Sequence, residues 1–115
     1  MEKEAHVNYD EEEDILSVSL DEKVVESLPI DNFVIDLSST EHGVGLEIFN
    51  ASKVISGFSG IKVDSYALKR IKKAYLRDFK SKELLFVVVR LLVKLDEKEK
   101  EIDMQAPLPI SAVSK

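Results

Sequence analysis

Residues 84–95 (Leu-Leu-Phe-Val-Val-Val-Arg-Leu-Leu-Val-Lys-Leu) are apolar apart from Arg90 and Lys94. A run this long and this rich in β-branched side chains favours extended chain over helix. Both of its faces are largely apolar, which predicts a central strand covered on both sides or a strand at a subunit interface. Asp96-Glu97-Lys98-Glu99 is then the hairpin turn, and Ile102, Met104 and Ala106 form the inward side of a return strand. Pro107 and Pro109 are expected to end that strand, leaving a loose tail to Lys115. The chain is therefore built around a sheet.

The first half supplies the other strands. His6 to Tyr9 reads as a short strand and Asp10 to Asp14 as an acidic turn. Ile15 to Leu20 alternates, with Leu16, Val18 and Leu20 inward. Val24 to Ser27 is a weak strand, and Leu28 to Asn32 a loop in which Pro29 denies the ladder a donor. Phe33, Ile35 and Leu37 give the apolar side of the next strand. Val44, Leu46 and Ile48 repeat at a period of two, with Gly45, Glu47 and Phe49 opposite. Asn50 then stands where a helix N-cap belongs, and Gly57 is placed to stop that helix after little more than one turn.

Between the two halves, Asp64 or Ser65 can cap a second helix running to about Lys80. Leu68, Ile71, Tyr75 and Phe79 recur at steps of three and four and make one apolar stripe. Arg70, Lys73 and Arg77 occupy the opposite side. The expected fold is α+β: an antiparallel meander sheet of six or seven strands packed by one long amphipathic helix and one short helix. At 115 residues the chain is read as one domain, 1–115, long enough to bury a core without staples.

The net charge of −6 conceals an asymmetry: −11 over residues 1–61, +6 over 62–82 and −1 over 83–115. A basic segment beside an acidic sheet points to complementarity within or between subunits before it points to an external polyanion. Cysteine is absent, so disulfides, thiolate metal sites and cysteine nucleophiles are excluded. Met1 to Glu4 lacks the basic-then-apolar pattern of a signal peptide, and no apolar run approaches the roughly 20 residues of a membrane span. A cytoplasmic protein is expected. Abundant Glu and Lys with the single Gln105 is also the drift seen in hyperthermophile proteins.

The polar residues offer several candidate chemistries, each with a simpler structural role beside it. Asp10 to Asp14 could ligate a divalent cation, but the run lacks the glycine and terminal glutamate of a calcium loop; a solvated turn with Asp10 and Asp14 capping amides is favoured. Asp36 and Glu47, on adjacent expected strands, could pair for acid–base work, yet no nucleophile accompanies them. His6 and His42 are isolated, and the serines lack a nucleophile elbow. No catalytic residue, metal or cofactor is expected.

With these elements in place, residues 7–55 resemble the family known as domain of unknown function 2283. The resemblance rests on Tyr9-Asp10, on Asp14 with Leu16, Val18 and Leu20, on Glu26, on Val34 with Asp36, and on Gly45-Leu46-Glu47-Ile48 followed by Ala51-Ser52. It departs at Leu37 to His42, where the family has a short Asp/Gly turn, and at Phe49-Asn50 in place of Leu-Asp. Residues 62–106 lie outside it. The resemblance implies a compact antiparallel sheet with helix, self-association or pairing with a small partner, and no catalytic residue.

The expected function is a non-enzymatic protein-interaction module that forms a homodimer through Leu68, Ile71, Tyr75 and Phe79 together with Val87, Val89 and Leu91. The alternative is a nucleic-acid-binding or antitoxin-like partner protein acting through Arg70, Lys73 and Arg77 on the helix 64–80. The acidity of the chain weighs against the alternative.

Overall fold

The computed structural model describes residues 2–113. Eight strands follow one another as β1 (Lys3–Asp10), β2 (Ile15–Ser19), β3 (Glu26–Ile30), β4 (Phe33–Leu37), β5 (Gly43–Phe49), β6 (Lys73–Ser81), β7 (Leu84–Leu95) and β8 (Lys98–Pro109). Helices α1 (Ala51–Ser59) and α2 (Ser65–Leu68) stand between β5 and β6, and a 3-10 turn at Ile110–Ala112 follows β8. All pairings are antiparallel, in the order β3-β4-β5-β2-β1-β6-β7-β8. The sheet curls into a half-barrel.

This overturns the α+β expectation. The helix expected from residue 64 to Lys80 ends at Leu68, and Lys73–Ser81 is instead strand β6. The physical reason is β7: a twelve-residue central strand needs a hydrogen-bonded neighbour on each side, and β6 pairs with it from Lys73↔Leu92 to Ser81↔Leu84. Apolar residues at helical spacing lose to that ladder, because Ala74 and Leu76 alternate just as well and bury completely.

β1 splices the two halves of the sheet. Its residues Lys3 to Ala5 pair with β6, and His6 to Asp10 pair with β2. Residues of both halves then share one core, with Leu16, Ile35, Leu46, Leu76, Val87 and Leu91 among its fully buried members. A register irregularity between Asp36 and Leu37, opposite Gly43 and Gly45, sharpens the curl.

Smaller corrections follow the same logic. The weak strand placed at Val24 to Ser27 lies at Glu26–Ile30, with Pro29 inside it; proline is tolerated because β3 is a border strand. Pro107 and Pro109 likewise lie within β8, the other border, rather than ending it. The tail is ordered by the 3-10 turn as far as the buried Val113, and Ser114 and Lys115 lie outside the described residues. Gly57 does not stop α1, which runs on to Ser59, where Gly60 at φ 74° caps it with its N–H on the Ser56 carbonyl.

Candidate interaction site

The family-like residues of the first half are bound up with one another. Asn50 holds the N-cap position of α1, but its side chain makes no capping bond. Asp14 caps the helix from the β1–β2 turn instead. Its carboxylate accepts the Ser52 hydroxyl at 2.7 Å, the Ser52 N–H at 3.1 Å and the Tyr9 hydroxyl at 2.6 Å. Its carbonyl accepts the Ala51 N–H. Burial opposes ionisation of Asp14, but the hydrogen bonds from Tyr9 and Ser52 outweigh it and hold the carboxyl below its ordinary pKa. Burial, reinforced by the bond to Asp14 and its negative charge, pushes the Tyr9 hydroxyl far above the usual phenol range.

The other acidic candidates are engaged similarly. Asp10 accepts the Glu13 N–H, as a turn-capping aspartate does. Asp36 accepts the Ser27 hydroxyl at 2.7 Å and stands over Gly45, while Glu47 pairs with Val34. His42 contacts Asp78, which also accepts the Gly43 N–H. Among the described residues, no three His, Asp or Glu side chains are grouped to hold a metal ion.

The surface most suited to a macromolecular contact is the outer face of β6, β7 and β8. Alternation along β7 sends Leu85, Val87, Val89, Leu91 and Val93 into the core, each at most 1% exposed. Phe86, Val88, Arg90 and Leu92 point the other way and are half-buried. Cross-strand rows extend this face. Phe79 stands opposite Phe86, and their rings stack at 4.9 Å with 16° between planes. Arg77 lies 5.4 Å from the Phe79 ring centroid. Pro107, Gln105, Asp103 and Glu101 continue the rows on β8. Arg90 sits near the middle, 3.4 Å from Glu2, 3.3 Å from Asp103 and 3.5 Å from Glu101. Glu2 and then Asp103 and Glu101 raise its pKa further.

The residues expected at the interface are divided by this geometry. Tyr75 and Phe79 are on the outer face, whereas Leu68, Val87, Val89 and Leu91 are interior to the single chain, at most 2% exposed. Buried side chains of this kind hold the core and offer nothing to a partner. Arg70, Lys73 and Arg77 do not share a helix face either: Lys73 and Arg77 are on β6, and Arg70 follows α2. The apolar run by itself does not mark out Phe86, Val88 and Leu92 as the outward set; reading 84–95 as two interleaved alternations separates them from the core.

Residues 6–52 match the family described as protein of unknown function, DUF2283. That segment covers β1 from His6 through β5 and ends at Ser52, inside the Asp14 cap. No curated protein and no solved structure matches the chain. Among the described residues, no helix is long and apolar enough to cross a membrane.

Proposed function

We propose that the protein is a non-enzymatic interaction module that pairs with a second copy of itself through the outer face of β6, β7 and β8. The observation that carries this reading is the Phe79–Phe86 stack on the solvent side of the sheet, where Phe79 remains 38% exposed. Aromatic and β-branched side chains on the side of a strand remote from its core gain from a covering layer.

A second copy suits the face because its charges are self-complementary. A two-fold axis along β7 lays β6 of one copy over β8 of the other, the isologous arrangement of a closed dimer. Lys73 then meets Glu101 and Phe79 meets Pro107, since each pair shares a cross-strand row through Leu92 or Phe86. Arg90, already among three acids, adds no unpaired charge to the contact.

Sedimentation equilibrium on the full chain tests the reading. The expected mass is twice the 13.0 kDa of one chain, with Phe86→Glu returning it to one chain while leaving the thermal transition in place. A wild-type chain that stays single at ~0.1 mM, weaker than a standard interface allows, rejects it.

A further inference from the structure

One end of the molecule holds a cleft of about 730 Å³ between α2 and the tip of the β7–β8 hairpin. Its lining includes Lys62, Tyr66, Arg70, Lys98 and Lys100. Tyr66 is 65% exposed, more than any other large apolar side chain among the described residues, where Val25 follows at 54%. The Arg70 guanidinium lies 4.9 Å from the centroid of its ring. An aromatic face backed by a guanidinium is a platform for another flat π system.

The cleft is also locally cationic in an acidic chain. Lys94 completes five basic side chains on its wall, against Asp64, Asp96 and Glu97. That leaves a surplus of two positive charges on the wall; Asp64 accepts the Ala67 N–H at 3.0 Å, and Glu97 stands 3.7 Å from Lys94. Lys62, Lys98 and Lys100 have no ion-pair partner among the described residues. Ammonium groups beside an open aromatic ring match a ligand that joins an aromatic base to phosphate. The net charge of −6 opposes indiscriminate polyanion binding, so any recognition must be confined to this patch.

We infer that the cleft binds a nucleotide, either free or as part of a single strand, with its base on Tyr66 and its phosphate on Lys62, Lys98 and Lys100. The site does not depend on the dimer reading, because it lies at the hairpin tip and away from the Phe79–Phe86 stack. It retains Arg70 from the basic stripe and leaves out Lys73 and Arg77.

Two fluorescent probes test the inference on the full chain at ~50 mM salt: a ribose-labelled ATP and a fluorescein-labelled octathymidylate. Saturable binding that weakens with added salt is expected for at least one. Binding of ATP assigns a free nucleotide, and binding of the oligomer alone assigns a strand. Tyr66→Ala should weaken binding at least about fivefold while Tyr66→Phe retains it, and Lys98→Glu with Lys100→Glu should abolish it. These side chains are exposed, and an unchanged melting temperature confirms that each variant folds. Absence of saturable binding by both probes at ~1 mM protein overturns the inference. So does binding indifferent to Tyr66→Ala, or displacement by inorganic phosphate as effective as by unlabelled ATP.

Discussion

Gly43 on β5 and Val87 on β7 face each other across the concave side of the sheet, so closely that a Cβ at position 43 would stand 2.5 Å from Val87 Cγ2. The strands are remote in the sheet order, and their contact measures how far the sheet has curled. Val87 is fully buried and stiff at χ1, so it has no room to retreat. Gly43→Ala should therefore lower stability by about 1–3 kcal/mol in urea denaturation. Combining it with Val87→Ala should recover part of the loss, with a coupling of at least about 0.5 kcal/mol. Strictly additive effects would mean that the two halves are not in contact there.

The Asp14 cap predicts a pH dependence at both ends. The folded-state pKa of Asp14 is depressed, so its stabilisation is present above the unfolded value near ~3.9 and is lost as pH falls through the lower folded value. That of Tyr9 is raised, so its contribution is complete below the unfolded value near ~10 and is lost as pH climbs above it. Tyr9→Phe should flatten the alkaline limb of stability against pH and lessen the acid limb. Asp14→Ala should cost about 1–2 kcal/mol at neutral pH through loss of the helix cap. It adds strain because residue 14 sits at φ 55°.

Gly57 lies inside α1, and a Cβ there would meet nothing within 4 Å. Gly57→Ala should raise stability by about 0.5–1 kcal/mol by removing backbone freedom from the unfolded chain. A thermal melt reads the change directly, and a decrease would reveal a neighbour at that helix face.

The β7–β8 turn leaves Asp96 and Glu97 both in the left-handed region, at φ 49° and 68°. A two-residue hairpin of this kind prefers glycine at the second position. Glu97→Gly should stabilise the fold by about 1 kcal/mol, because the Lys94–Glu97 pair it removes is exposed and weak. Denaturant midpoints of the two proteins provide the comparison.

How much could be read in advance depended on whether local pattern or distant pairing decided each segment. Leu16 and Val18, Phe33 to Leu37, Val44 to Ile48 and the run Leu84 to Leu95 were legible as strands, because alternation and β-branching agree there. Residues 73–81 were not: Ile71, Tyr75 and Phe79 recur at helical steps, while Ala74 and Leu76 alternate with Tyr75, Arg77 and Phe79. The demand of β7 for a second neighbour settles the conflict, and the clue was the two-residue link Lys82-Glu83, which suits a hairpin. The outer face was half legible. Helical spacing picks out Tyr75 and Phe79, which the fold places on strand β6, and the apolar run offers Val87, Val89 and Leu91, which the fold turns inward. The Asp14 cap joins residues 38 positions apart, a proximity that no local pattern encodes.

Pro29 on one border of the sheet and Pro107 and Pro109 on the other have a bearing on aggregation. A strand from another molecule that tries to extend either margin meets positions without an N–H to offer, and open-ended growth into fibrils is blocked where the prolines stand. The face-to-face pairing proposed above would not be propagated along these margins, because it saturates once the two faces are used up.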